Sequence, residues 1–358
     1  MYCTKRTIEI WFFFLCTDWA ENWYNKKMKY IIPSKLKSGD EIRVIAPARS
    51  LSLVTEENIR LAKENLEKQG YKVTFSKNCK ESDMFMSSSV GSRVEDLHQA
   101  FKDKKVKAIL TVIGGFNSNE LLPYLDYKLI KNNPKILCGY SDITALANAI
   151  TAKTGLVTYS GLHFSTWAMK KGFEYNLEYF NKCLVEDKKY LVEASDVWSD
   201  DVWYKDQGNR KFEKNEGYII INKGEAEGVI FGGNLCTLNL LQGTEFMPDI
   251  SNSILFIEDD DMTGSFFGVE FNRNLQSLIH QPNFKKVKGI IIGRFQKKAE
   301  MTIEKLKYII QTKKELKSIP IIANADFGHS NPLIAFPIGG TAKISTLKSK
   351  ARIEILKH

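Results

Sequence analysis

The sequence predicts an α/β fold: an N-terminal domain built on a parallel sheet, then a C-terminal domain of mixed strands and helices with a closing hairpin. Three observations predict it. Strand and helix patterns alternate through the first half, as a parallel sheet with helical crossovers requires. Residues 106–113 form a continuous apolar run, the mark of a strand buried on both faces. From residue 226 the alternation restarts and ends in two short runs, at 342–345 and 351–356, spaced like a hairpin.

Each element has its own signal. Residues 42–46 are β-branched and apolar and stop at Pro47. Thr55 can cap a helix that puts Ile59, Ala62 and Leu66 on one face and ends at Gly70. Residues 71–75 alternate like a strand. Ser92 and Glu95 make a capping box ahead of Val94, Leu97 and Phe101. The buried strand at 106–113 runs into Gly114 and Gly115, and a short strand at 135–138 precedes a helix over 142–154. This half reads as a Rossmann/flavodoxin-like domain.

Residues 172–224 are weaker in pattern and rich in aromatics and charge. They read as a long connection carrying a loop, Trp198-Ser199-Asp200-Asp201-Val202-Trp203-Tyr204, and long loops in compact chains are often functional. Beyond them, strands are expected at 226–231, 253–257, 287–292 and 321–325, and helices at 235–241, 266–279 and 302–316. The expected organisation is an extension at 1–27, a first domain at 28–175, a connecting segment at 176–222 and a second domain at 223–358.

Composition narrows the class. Of 358 residues, 43% are hydrophobic and 26% charged, a soluble globular balance that can bury large cores without disulfides or metals. The net charge of +9 is mostly scattered lysine. The densest stretches, around Lys104 and Lys297, lack interleaved aromatics and read as solvated faces, so no nucleic-acid partner is expected. Six cysteines form no C-x-x-C pair and fit free thiols in a reducing, cytoplasmic compartment. The apolar run at 8–16 is broken by Glu9 and falls far short of the ~20 residues that span a bilayer. No small-residue cleavage site follows it. Met28 opens a natural-looking start, and residues 1–27 read as lying outside the fold.

Catalytic groups of α/β proteins gather at the carboxyl ends of strands. Ser141 lies between a short strand and a helix, in Cys138-Gly139-Tyr140-Ser141-Asp142, the context of a nucleophile elbow. Ile143 stands where G-x-S-x-G has its second glycine, and Ser141 is equally placed to cap the helix. Glu258 ends an apolar strand and opens an acidic run through Asp261; such a run can orient a histidine, bind a metal or be solvated. His329 follows Gly328 at another strand end, where a structural imidazole is the alternative. His163 can line a pocket. No H-E-x-x-H, H-x-H or Cys-His cluster is present, so no metal is expected. Gly114 and Gly115 lack a Walker lysine and the dinucleotide spacing. They offer either free backbone N–H groups or simply a tight turn.

Together these pieces resemble the serine LD-carboxypeptidase family, which includes murein tetrapeptide carboxypeptidases and microcin C immunity peptidases. The resemblance rests on Gly114-Gly115 with Asn117-Ser118-Asn119-Glu120, on Gly139-Tyr140-Ser141-Asp142, on Gly232-Gly233-Asn234-Leu235, on Ile257-Glu258-Asp259 and on Gly328-His329. It implies a cofactor-free serine carboxypeptidase with the triad Ser141, Glu258 and His329. The oxyanion hole would come from Gly114, Gly115 and Asp142, and substrate contacts from Asn117, Ser118, Trp198, Trp203 and Asn234. It also implies a homodimer and a small peptide or aminoacyl-nucleotide substrate. The Trp198–203 loop is similar to that of the microcin-immunity branch, where aromatics stack on a base, although two tryptophans can equally anchor a loop. Murein tetrapeptide hydrolysis and non-catalytic binding of a peptide or nucleotide are the alternative functions.

Overall fold

The computed structural model describes residues 29–347 and 350–358. The expected extension at 1–27, with Cys3 and Cys16, lies outside the described residues. Residues 31–358 form one unit that holds two large sheets.

Apolar runs build the first sheet. β1 (Glu41–Ile45) lies between β2 (Lys72–Phe75) and β3 (Val106–Thr111), parallel to both. β4 (Ile136–Cys138) and β5 (Thr158–Ser160) continue the parallel array beyond β3. The connecting helices are α1 (Glu56–Lys68), α2 (Val90–Lys102), α3 (Tyr127–Asn132) and α4 (Ile143–Thr154). Thr55 caps α1 by accepting from the Asn58 N–H. The cap of α2 differs from the sequence reading. Ser89, not Ser92, accepts at the helix start, from the Ser92 N–H at 3.0 Å, and Glu95 accepts from Asn78 instead of closing a box.

The middle of the chain is more regular than a connecting loop. It contains α5 (Glu174–Leu184), which buries Tyr179, Phe180, Cys183 and Leu184. After it come β6 (Tyr190–Val192), a two-stranded ribbon of β7 (Val197–Trp198) with β8 (Glu213–Lys214), and β9 (Ile219–Asn222). Strands of two to four residues carry little periodicity, and β6 and β9 pair with partners far along the chain.

The second sheet has a parallel centre of β10 (Glu225–Asn234), β11 (Ser253–Glu258), β12 (Gly289–Gly293) and β13 (Ile321–Ala325). β9 flanks β13 antiparallel. β14 (Phe336–Ile338) leaves this half of the chain and pairs antiparallel with β5 at the edge of the first sheet. The expected hairpin forms from β15 (Thr341–Ser345) and β16 (Arg352–Lys357), and β6 adds to its outer edge. Helices α6 (Leu235–Asn239), α7 (Phe267–Ile279) and α8 (Ile303–Gln311) accompany this sheet.

Aromatic packing and side-chain hydrogen bonds hold one sheet against the other. Phe336 of β14 packs on Phe256 of β11 with ring centroids 4.7 Å apart. Each such buried ring contributes roughly 1.5–3 kcal/mol. Asn148 of α4 donates to the Gly232 carbonyl of β10 at 2.8 Å and accepts from its N–H. A Cβ on Gly233 would collide with Thr144 of α4, and one on Gly232 with the Phe256 carbonyl. The glycine pair therefore lets β10 touch both its neighbouring strand and the helix that follows Ser141.

Candidate active site

Ser141 occupies the turn between β4 and α4 with φ +61°. Non-glycine residues rarely hold that conformation, and surrounding structure must enforce it. Gly139 supplies the room, since a Cβ there would strike the Thr111 hydroxyl. After the turn, Asp142 is buried, and its carboxylate accepts from the N–H groups of Asn117 and Ser118 at 3.1 and 2.9 Å. The Ser118 hydroxyl donates to the Asp142 carbonyl at 2.7 Å. Burial lifts the Asp142 carboxyl above its ordinary pKa even though these N–H groups pull it down. The loop after β3 is thus latched to the elbow.

Gly114 lies against Ser141. A Cβ built on it would sit 2.9 Å from Ser141 Oγ and 3.7 Å from the Asp142 nitrogen. The peptides of Gly114 and Asp142 therefore flank the hydroxyl. A Cβ on Gly115 would instead face Ala48 and Arg49, at 2.9 and 3.1 Å.

Glu258 ends β11 with 2% of its surface exposed, and His329 follows β13. His329 Nδ1 lies 2.8 Å from Glu258 Oε2, and His329 Nε2 lies 3.0 Å from Ser141 Oγ. With a neutral imidazole, Nδ1–H donates to the carboxylate and the serine hydroxyl donates to Nε2. Two glycines clear space for the carboxylate. A Cβ on Gly328, whose φ is +104°, would lie 2.7 Å from Glu258 Oε2, and one on Gly293 would lie 2.8 Å from Glu258 Cβ. Burial lowers the His329 pKa, but the charge and hydrogen bond of Glu258, with help from Asp260 and Asp259, outweigh it and raise the pKa to about 9. Burial, then the charge of Glu258, pushes the Asp259 carboxyl up as well, to about 8.

Ser141 and His329 open onto a cavity of about 470 Å³ lined also by Arg49, Tyr140, His163 and Trp203. Tyr140 lies between two imidazoles, 4.3 Å from His163 and 5.5 Å from His329 between ring centroids. Burial, reinforced by His329 and Arg49, pushes His163 down to about 3, so it stays neutral. The loop from Asp200 to Tyr204 forms one wall. Arg210 holds Asp201 at 2.9 Å, and paired backbone hydrogen bonds of 2.7 Å join Ser199 to Asn331, two residues beyond His329.

Several residues expected to meet substrate are placed elsewhere. Trp198 lines an adjacent cavity of about 330 Å³, with Arg294 and Lys297 over its ring at 5.1 and 5.2 Å. Ser118 is fully buried in the latch. Asn117 engages it through its backbone. Asn234 is buried too: it accepts from the Thr237 N–H as the cap of α6 and donates to Asp259 at 3.1 Å. Arg49 also lines the cavity, and its position just past the end of β1 is the one local signal for it in the sequence. Among the described residues no helix is long and apolar enough to cross a membrane.

A serine held in an elbow, with an imidazole and a carboxylate in line behind it on an α/β frame, defines a class of hydrolase. Comparison with known proteins makes the class specific. The chain belongs to the LD-carboxypeptidase family, matching its N-terminal domain over residues 42–161 and its C-terminal domain over 227–344, and is a serine carboxypeptidase-type hydrolase. It is 57% identical to YocD of Bacillus subtilis over 91% of this chain and 99% of that one. An MccF-like protein from Bacillus anthracis, 59% identical, has the same fold with a TM-score of 0.91 over 92% of this chain and all of that one. The microcin C7 self-immunity protein MccF of Escherichia coli is 32% identical over 86% of this chain and 91% of its own length. The structure of MccF in complex with glutamyl sulfamoyl guanosine matches with a TM-score of 0.81 at 28% identity, over 91% of this chain and 98% of that one.

Proposed function

We propose that the chain hydrolyses an amide bond in a small peptide or aminoacyl-nucleotide, as in microcin C-type self-immunity, with Ser141 as nucleophile, His329 as base and Glu258 as its orienting partner. The observation that carries this reading is the run of two hydrogen bonds, 3.0 and 2.8 Å, from Ser141 through His329 to Glu258 at the floor of a cavity. His329 takes the hydroxyl proton as Ser141 Oγ attacks the carbonyl carbon. The N–H groups of Asp142 and of Gly114 or Gly115 receive the oxyanion; one such donor is worth about 10²–10³ in rate. His329 then passes the proton to the leaving nitrogen, and water releases the acyl group. No cofactor enters this scheme.

Trp203 and Tyr204 support a nucleoside on the leaving side, because indole and phenol faces stack on bases. The acidic run after Glu258 opposes a phosphate-like linkage less than its composition suggests. Asp259 is buried, and burial beside Glu258 raises its pKa to about 8, which disfavours its negative charge. The proposal includes a cytoplasmic homodimer, which cell fractionation and sedimentation velocity test.

The deciding experiment follows a murein tetrapeptide ending in D-alanine and an aminoacyl-sulfamoyl adenosine side by side, with wild type and Ser141→Ala. Cleavage of the adenosine conjugate by wild type alone is the expected result. Release of D-alanine alone moves the protein to cell-wall recycling, and turnover of neither leaves a binding protein.

A further inference from the structure

We propose that Arg49 is the anion-binding residue of this cavity, seating the negative group that the substrate carries beside its scissile bond. The inference deepens the hydrolytic reading and rests on it for the position of that bond. Arg49 leaves the end of β1 and lies along the loop after β3. Its Nε donates to the Gly114 carbonyl at 3.1 Å, and its guanidinium lies over Phe116, 5.7 Å from the ring centroid. Those contacts orient the fork and leave both Nη groups for a ligand. Among the described residues no carboxylate pairs with Arg49, whereas the two acids in the cavity wall are already engaged. Asp201 is held by Arg210, and Asp200 accepts from the Lys297 backbone at 2.7 Å with the Lys297 ammonium 3.4 Å away. His163 is neutral and His329 is already paired with Glu258, so among the described residues of this lining Arg49 is the cation without a carboxylate partner.

Its place specifies what it can hold. Arg49 grips Gly114, the residue beside Ser141 Oγ, and lines the same cavity, so its fork faces the region where the carbonyl under attack would lie. A planar fork suits a carboxylate or a sulfamoyl or phosphoryl group with two oxygens. Two sources provide that chemistry: the terminal carboxylate of a peptide losing its last residue, and the acidic linkage of an aminoacyl-nucleotide.

Calorimetric binding in the Ser141→Ala background separates this inference from turnover. Two ligand pairs serve: the tetrapeptide ending in D-alanine with its carboxamide, and aminoacyl-sulfamoyl adenosine with the neutral 5′-aminoacylamino-5′-deoxyadenosine. The anionic member of one pair should bind tighter, and Arg49→Met should weaken it about ten- to a hundredfold, the usual weight of a charge-assisted contact, while changing its neutral partner less than about threefold. Arg49→Lys should recover part of the loss and controls for folding. The pair that shows the preference identifies the source of the anion. Equal losses on both members, or no anion preference in either pair, overturns the inference and leaves Arg49 as a brace for the Gly114 loop. Failure of the hydrolytic reading would appear separately, as absent turnover by wild type.

Discussion

The two halves of the site are held by opposite means. Ser141 is held by strain: a backbone at φ +61°, enforced by Gly139 on one side and the Asp142 latch on the other. His329 and Glu258 are held by vacancy, since Gly293 and Gly328 omit side chains and the carboxylate fills the space. The nucleophile side tolerates little because its conformation is costly. The base side tolerates little because its volume is already used.

The largest effects should come from removing either end of the hydrogen-bonded run. Ser141→Ala and His329→Ala should each lower kcat by about 10⁴–10⁶ with an unchanged circular dichroism spectrum. Retained activity in either would break the pairing of the two halves.

Next is Glu258→Gln, which keeps the volume and removes the charge. It should cost about 10³–10⁴ in kcat, because the amide no longer enforces the imidazole tautomer. It should also move the pH profile. Catalysis needs neutral His329, so kcat/KM should climb with pH through a wild-type midpoint near 9. Without Glu258 that limb should shift to lower pH, towards the ordinary imidazole value of about 6.5. The linked stability has a definite sign. A raised histidine pKa stabilises the fold fully below about 6.5, and that contribution is lost as pH rises through about 9. Urea titrations at pH 6 and pH 9.5 should show the wild type losing more stability between them than Glu258→Gln.

Gly328→Ala tests the vacancy directly. The added methyl meets Glu258 Oε2 at 2.7 Å in a backbone region alanine avoids, and should cost about 1–3 kcal/mol of stability together with most activity. Gly217→Ala, also at positive φ but with open space around it, should pay only the backbone cost and keep full activity.

The smallest effect divides the tryptophans. Trp203→Ala should weaken hydrolysis of an aminoacyl-nucleotide about tenfold, the weight of one stacked base, and change tetrapeptide hydrolysis less. Trp198→Ala should leave both kcat/KM values within about twofold. Parallel losses in the two variants would merge the cavities that the geometry separates.

Much of this frame was legible in the sequence because local chemistry dictated it. Continuous apolar runs gave the parallel strands, Thr55 gave a cap, and reactive residues stood just past strand ends. What escaped depended on partners far along the chain. Phe336–Ile338 has three residues with a proline in the middle, and nothing local tells it to cross to β5. Ser92 resembled a cap until Ser89 took its N–H. Asn234 and Ser118 belong to motifs beside the site, yet their side chains point inward to cap and latch, and motif matching reports proximity without direction. Arg49 stands out by contrast with Asp200 and Asp201, whose pairing depends on Lys297 and Arg210, a relation that no local pattern carries.

The crossing of β14 has a consequence in time. The ribosome makes Ser141, Glu258 and His329 before it makes Phe336, yet until that strand arrives β5 keeps an open edge and Phe256 has the ring of Phe327 against it without that of Phe336. Domains of a nascent chain generally settle in order from the N-terminus. Here an edge strand of the first sheet pairs on its outer side only after Phe336–Ile338 has been made, so that sheet is completed later in synthesis than any of the residues Ser141, Glu258 and His329.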